Sequence, residues 1–433
     1  MLLAALLAAA AVSAQDALYE TQGLPAGTSI IREYAPGVDI VYLDNGRPVF
    51  LYVDRMGSMV LEVPVPGLVS VSDMEINKDT LYFCGNYNGD PAVGYFDVND
   101  MFFGSSTVEF AQVLYTPVVS NGNGTFYGAL TLTKLEVYRD GNFVHVLVVM
   151  DVEFGTPYAD DYTGLIDARY DGTQWIAEII SETTGVFFFD DVAVTGNYVI
   201  VIGDKHGATG DYSTFWFLPS SNFITPLTIP DSLSIYYSPD VDYFPISKPL
   251  IEHIDADMYA TAAWGSFEGD TGVVVTIYDN IYTMNTRWFV PDITESMAFA
   301  ELKYNPADNT LYLVPDAAKS RLTDMVYSFD LSAVEARLSQ SDLPTVYSVD
   351  ATPPYMGAVV SGHTAGTEFG LWRLHKPVCD CDRQIKLPSK TNIHMIYNFK
   401  HPCDEAWVML PTNAEVCPIN FYTATPFCGE ESW

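Results

Sequence analysis

Short apolar runs recur along the whole chain, set apart by turns rich in Gly, Asn, Asp and Pro. The stretch LYFCGNYNGDPAVGYFDVND (81–100) shows the form. One apolar strand ends in a polar turn and a second strand follows at hairpin spacing. The same shape returns in FVHVLVVM (143–150) with TGLIDARY (163–170), YVIVIG (198–203) with STFWFL (213–218), and MYATAAWG (258–265) with GVVVTIYD (272–279). It returns again in TLYLVPD (310–316) with MVYSFDL (325–331), YMGAVVSG (355–362) with GLWRLHK (370–376), and AWVMLP (406–411) with INFYTA (419–424). A short strand and tight turn precede each pair, and several pairs are followed by a further β-like run such as QWIAEII (174–180).

The unit therefore has three or four antiparallel strands and a period of roughly 45–62 residues, the sequence form of a β-propeller. The expected fold class is all-β: a propeller of seven four-stranded blades, with six to eight as the range. The tail FYTATPFCGEESW (421–433) is too short for a complete last strand. Pairing of N- and C-terminal strands is expected to close the ring, with TSIIREYAPGVDIVYLDNGRPVFLYVD supplying what the tail lacks. That N-terminal segment also holds a hairpin of its own and could count as an eighth, shortened blade. A pair of β-sandwiches is the rival fold, but it needs about 100 residues per domain. The repeat spacing resembles that of exported bacterial β-propeller proteins with highly diverged blades. No WD dipeptide or kelch glycine pair accompanies it, so the resemblance implies fold alone.

Aromatic content supports strands: the chain has 28 Tyr and 24 Phe in 433 residues. Acidic residues outnumber basic ones 55 to 20, a formal charge of −35. Such a field excludes nucleic acid and anionic membrane surfaces as partners and attracts divalent cations or basic partners. MLLAALLAAAAVSA reads as a signal peptide over 1–14, too short to span a bilayer, and no later stretch forms a membrane span. An exported protein, periplasmic or extracellular, is the expectation, with 15–433 as one propeller domain and a monomer. Cys84 stands apart, while Cys379, Cys381, Cys403, Cys417 and Cys428 crowd a Cys-rich part over 377–433. Export favours disulfides over zinc, and no C-x-x-C knuckle exists.

The proline-rich segment 219–250 interrupts the pattern and reads as a long surface insertion bearing Tyr236, Tyr237, Tyr243 and Phe244. The loops between second and third strands should share one rim, which is acidic and Gly-rich. Tyr158, Tyr162, Tyr212, His206 and His363 fall in those loops, and Trp264 ends the strand beside one of them. Together with the insertion's tyrosines they form the candidate ligand-binding set for a glycan, peptide or protein partner. The first strands carry acids at like positions: Asp73, Glu136, Asp190 with Asp191, Glu252 and Glu301. The sixth copy has Tyr347 with Asp350 nearby, and the last has His394. Facing the axis, Asp73, Glu136, Asp190, Glu252 and Glu301 could hold Ca²⁺, or they could bond backbone N–H groups of the next blade.

No G-x-S-x-G, H-E-x-x-H or phosphate-loop motif occurs. Asn123-Gly124-Thr125 is a glycosylation sequon. Non-catalytic binding of a ligand or partner on the acidic face is thus the leading expectation. The alternatives are a polysaccharide hydrolase or lyase using axial carboxylates with or without calcium, and a pure scaffold.

Overall fold

The computed structural model describes residues 19–374 apart from short loop stretches and 206–211, 220–233 and 238–242; beyond 374 it describes four two-residue strands. Tyr158, His206 and His394 lie outside the described residues, as do 1–14 and the five cysteines beyond residue 374.

The described chain is all-β, with one short helix, Val98–Phe102. Its strands form successive antiparallel sheets, each laid down as a meander. Sheet 1 spans 28–64, sheet 2 spans 68–112, sheet 3 spans 129–182, sheet 4 spans 187–237, sheet 5 spans 243–291 and sheet 6 spans 299–340. Sheet 7 combines 345–374 with the N-terminal strand Tyr19–Pro25, which pairs antiparallel with Glu368–Leu374.

Near-continuous apolar strands arise because most sheets are covered on both faces. Each pair of neighbouring sheets shares one apolar cluster. Phe50 and Phe83 lie between sheets 1 and 2, Cys84 and Val148 between 2 and 3, and Val149 and Val201 between 3 and 4. Ile202 and Tyr259 join sheets 4 and 5, Trp264 and Leu313 join 5 and 6, and Tyr312 and Trp372 join 6 and 7. A seventh cluster, with Ile31, Val41 and Leu371, joins sheet 7 to sheet 1. The first strands likewise touch in succession, and that of sheet 7 touches that of sheet 1. This is β-propeller architecture.

A recurrent bulge shapes the first strands. Ser72, Thr133, Asp190, Ala300 and Tyr347 are each passed over in the pairing with the second strand. The extra residue bends the strand and changes which face later side chains take. Opposite three of these bulges stands glycine: Gly85, Gly203 and Gly362. A Cβ there would sit 2.1, 1.7 and 2.0 Å from the carbonyl oxygens of Ser70, Phe188 and Thr345. Only glycine permits the first strand to come so near.

One expectation about organisation changes. The N-terminal segment builds a complete sheet, and its hairpin is that sheet's second and third strands. In the C-terminal copy the described residues are two short ladders: Ala406–Trp407 pairs with Ile396–Tyr397, and Ile419–Asn420 pairs with Gln384–Ile385. The 219–250 segment is also partly strand. Ser234–Tyr237 is the outermost strand of sheet 4, and Tyr243–Pro245 and Leu250–Asp255 both pair with Met258–Phe267. Among the described prolines, Pro219 and Pro245 each stand at the end of a strand.

Candidate functional site

The first strands bring a dense set of charges to the axis. Residues two apart on a strand share a face, so Asp73 and Glu75, Lys134 and Glu136, and Glu301 and Lys303 arrive as pairs. All of these but Glu75, together with Arg32, Asp191 and Glu252, line a cavity of about 30 Å³, room for about two or three waters.

Arg32 of sheet 1 is buried and reaches across to two sheets. Its guanidinium lies 3.0 Å from Asp73, 3.4 Å from Glu75 and 3.0 Å from Glu301. Lys303 of sheet 6 pairs with Glu75 of sheet 2 at 3.2 Å. Lys134 Nζ of sheet 3 donates to the Ala300 carbonyl of sheet 6 at 2.5 Å. Two cations thus meet three carboxylates, Lys134 meets a carbonyl, and these contacts tie sheet 6 to sheets 1, 2 and 3.

The carboxylates also join neighbouring sheets. Asp73 accepts the Leu135 N–H at 3.0 Å and its own neighbour Met74 N–H at 2.9 Å. Asp191 repeats this arrangement with Ile251 at 3.0 Å and Val192 at 2.9 Å. Glu252 accepts from Tyr304 at 3.1 Å, Glu301 from Val349 at 2.8 Å, and Asp350 from Glu33 at 2.6 Å. Ser348 extends the chain by donating to Glu301 at 2.6 Å and accepting from Ile31 at 3.1 Å. The acids of five first strands therefore bond the N–H of the next sheet's first strand.

Their ionisation follows this placement. Burial alone would raise Glu75 and Glu301, but the cations outweigh it, and both lie below the ordinary glutamate value. Arg32 and Lys303 are raised because their carboxylate partners outweigh the cost of burial. The remaining acids have no cation of their own. Burial lifts Asp191 to about 6 and Glu252 to about 7, with the nearby lysines offsetting part of the effect. Glu136 is pushed well above the carboxylate range by burial and then by Glu75.

Of the expected metal set, Asp73, Glu136, Glu252 and Glu301 do converge on the axis. Asp190 does not line it. As the bulged residue it turns to Lys248, 3.3 Å away, which also reaches Asp151 at 3.4 Å. Asp191 takes the axial place. Among the described residues no group of three or more His, Cys, Asp or Glu is set to hold a metal ion. Sequence reasoning missed Arg32, Lys134 and Lys303. Arg32 sits in the sheet that was not counted as a repeat.

Of the aromatic set, the described side chains are those of Trp264, Tyr162 and His363. Trp264 is only 7% exposed and packs in the cluster between sheets 5 and 6. It shares its strand face with Ala260 and Ala262, so it is core. Tyr162 is half-buried, its hydroxyl 2.7 Å from that of Tyr115, which donates to Glu182 at 2.6 Å. His363 ends the second strand of sheet 7, its ring 6.1 Å from that of Tyr347. Tyr212, Tyr236, Tyr237 and Tyr243 are placed in strands by their backbones.

Between sheets 2 and 3 stands a hairpin that the repeat does not require. Val118–Asn121 pairs with Gly124–Tyr127, and the sequon residue Asn123 lies exposed in its turn. Its inward residues Val119 and Phe126 pack with Val152, Phe154 and Ala159 at the end of sheet 3's second strand and in the loop after it.

No family model matches the chain, and no curated protein matches it. Solved structures do. The WD40 β-propeller domain of Doa1 aligns at 9% identity and TM-score 0.46, over 84% of this chain and 99% of that one. A chain of a mitotic checkpoint complex aligns at 9% and 0.45, over 84% and 97%. The computationally designed protein Ika8 aligns at 10% and 0.43, over 81% and 100%.

Proposed function

We propose that this chain is an exported, non-catalytic β-propeller that serves as a binding or scaffold module, with its partner on the face carrying the second-to-third-strand loops. In this reading the seven sheets are the blades of one ring, and Tyr19–Pro25 closes it by completing the blade made from 345–374. The cycle of apolar clusters and of first-strand contacts supports closure.

One observation carries the functional reading. The axial cavity has room for a few waters, and of its carboxylates Asp73, Asp191, Glu252 and Glu301 are engaged by Arg32 or by N–H groups of the next sheet. A glycosidase places two carboxyls about 5–10 Å apart across a sugar ring, and a cavity of about 30 Å³ admits no sugar. Calcium would have to displace the same partners. The tied-up axis leaves the rim for recognition.

The test sets the mature protein against glycan and peptide arrays, and in parallel measures reducing-end release from the same polysaccharides. Binding without release is the expected result. Release that disappears in Glu136→Gln would replace this reading with the hydrolase one.

A further inference from the structure

The 118–127 hairpin is an addition to the repeat. Sheets 1 and 2 are joined by 65–67, and sheets 6 and 7 by 341–344, whereas sheets 2 and 3 are joined by 113–128. Loops that exceed what the frame needs are where recognition concentrates. This one is also held firmly: Val119 and Phe126 anchor it, and Gly128 N–H donates to the Pro117 carbonyl at 2.9 Å across its base.

Its outward face is apolar at the base and polar at the tip. Val118 and Tyr127 stand directly opposite each other in the ladder, and they are 46% and 70% exposed. They are two of the five large apolar side chains that are exposed among the described residues. Ser120 and Thr125, the next pair on that face, hydrogen-bond each other at 3.0 Å. A rigid cross-strand Val–Tyr pair in water is not required by the fold, since the hairpin's other face makes the attachment.

The segments that build it carry charge of one sign. No Lys or Arg occurs from 113 to 133 or from 140 to 168. The residues that anchor the hairpin are flanked by exposed Glu153, Asp160 and Asp161. A surface of this kind attracts a positive group, and Lys248, the cation that reaches Asp151 on the same strand, is already engaged by Asp151 and Asp190. Apolar contact then supplies the short-range part of binding.

From this we infer that the outward face of the hairpin is a docking surface for a cationic peptide segment of a partner protein, one that also carries a large apolar side chain. The apolar side chain covers Val118 and Tyr127, and its Lys or Arg neighbours meet Glu153 and Asp160. The inference rests on the binding-module reading and names the partner for it.

Three fluorescein-labelled probes test it by anisotropy on the full mature chain: an alternating Lys-Leu peptide, an all-Lys peptide of the same length, and a neutral Ser-Leu peptide. The Lys-Leu probe should bind best, and Tyr127→Ser with Val118→Ser should weaken it by about tenfold or more. Glu153→Gln with Asp160→Asn should weaken it and flatten its salt dependence. Both pairs are at exposed positions, and an unchanged unfolding temperature verifies that the fold is kept.

Equal binding of the Lys-Leu and all-Lys probes, untouched by Tyr127→Ser, would overturn the inference by assigning attraction to diffuse charge. Concentration-dependent dimerisation abolished by Tyr127→Ser would also overturn it, by making a second copy the occupant. Peptide or glycan binding elsewhere on the arrays, with no Lys-Leu binding here, would sink this inference alone and leave the binding-module reading standing.

Discussion

Glu252 offers a sharp test of the axial electrostatics. Its carboxyl titrates near 7 in the folded chain, raised by burial and only partly offset by Lys303 and the Tyr304 N–H. In the unfolded chain it titrates near its ordinary 4.5. The folded state therefore holds its proton more tightly. Stability linked to this group is full below about 4.5, falls as pH rises through 7, and is then flat. A gap of about 2.5 pH units at 1.36 kcal/mol each gives about 3 kcal/mol, of which about 2.5 kcal/mol is lost between pH 5 and pH 8. Glu252→Gln keeps an oxygen for the Tyr304 N–H, 3.1 Å away, and cannot ionise. Relative to the wild type it should gain about 2–3 kcal/mol on going from pH 5 to pH 8, a rise in melting temperature of about 3 °C for a chain of this size. Scanning calorimetry of both proteins at the two pH values measures it. A variant destabilised equally at both would refute the reasoning, because Glu252 would then act as the charged partner of Lys303.

Arg32→Met should cost about 3–5 kcal/mol, since it leaves Asp73 and Glu301 buried without their cation; urea unfolding at pH 7 reads the loss, and Arg32→Lys should recover part of it. Deleting residues 15–26 removes the strand that covers the edge of Glu368–Leu374, so the shortened protein should melt lower and associate through that edge, as seen by sedimentation velocity. Gly203→Ala should be among the most damaging small substitutions, because the added methyl meets the Phe188 backbone at 1.7 Å; loss of soluble expression or a fall of several degrees in melting temperature is the expected outcome, and an unchanged melt would mean the bulge is not fixed there. Stripping with EDTA and titrating Ca²⁺ should leave the melting temperature unmoved, because Asp73 and Glu301 are already occupied by Arg32 and backbone N–H groups; a saturable rise would restore the calcium reading.

What the sequence made legible, and what it hid, follow from the same local physics. The meander and its period show through because each strand pair is bounded by turn residues that local conformation demands. The acids at like positions of the first strands are also visible, and their role as bonds to the next sheet was one of the two readings their spacing allowed. The faces were not legible. Strands covered on both sides lose the alternation that tells inside from outside, so Trp264 in MYATAAWG reads equally as rim or core. A bulge adds a second ambiguity, since one skipped residue exchanges the faces. It sends Asp190 to Lys248 and Asp191 to the axis, although the two are neighbours in the chain. A signal for the bulge was present: second strands carry LYFCG, YVIVIG and AVVSG, each glycine opposite the residue before a bulge, and MYATAAWG carries one too, with Gly265 opposite Pro245 just before the first strand breaks. Read as a register mark, that glycine would have fixed which residue turns inward in the first strands that face it. Arg32 was hidden for a different reason. An alignment built on acids cannot find the one position where a cation replaces them, and the charge balance of the whole axis depends on that replacement.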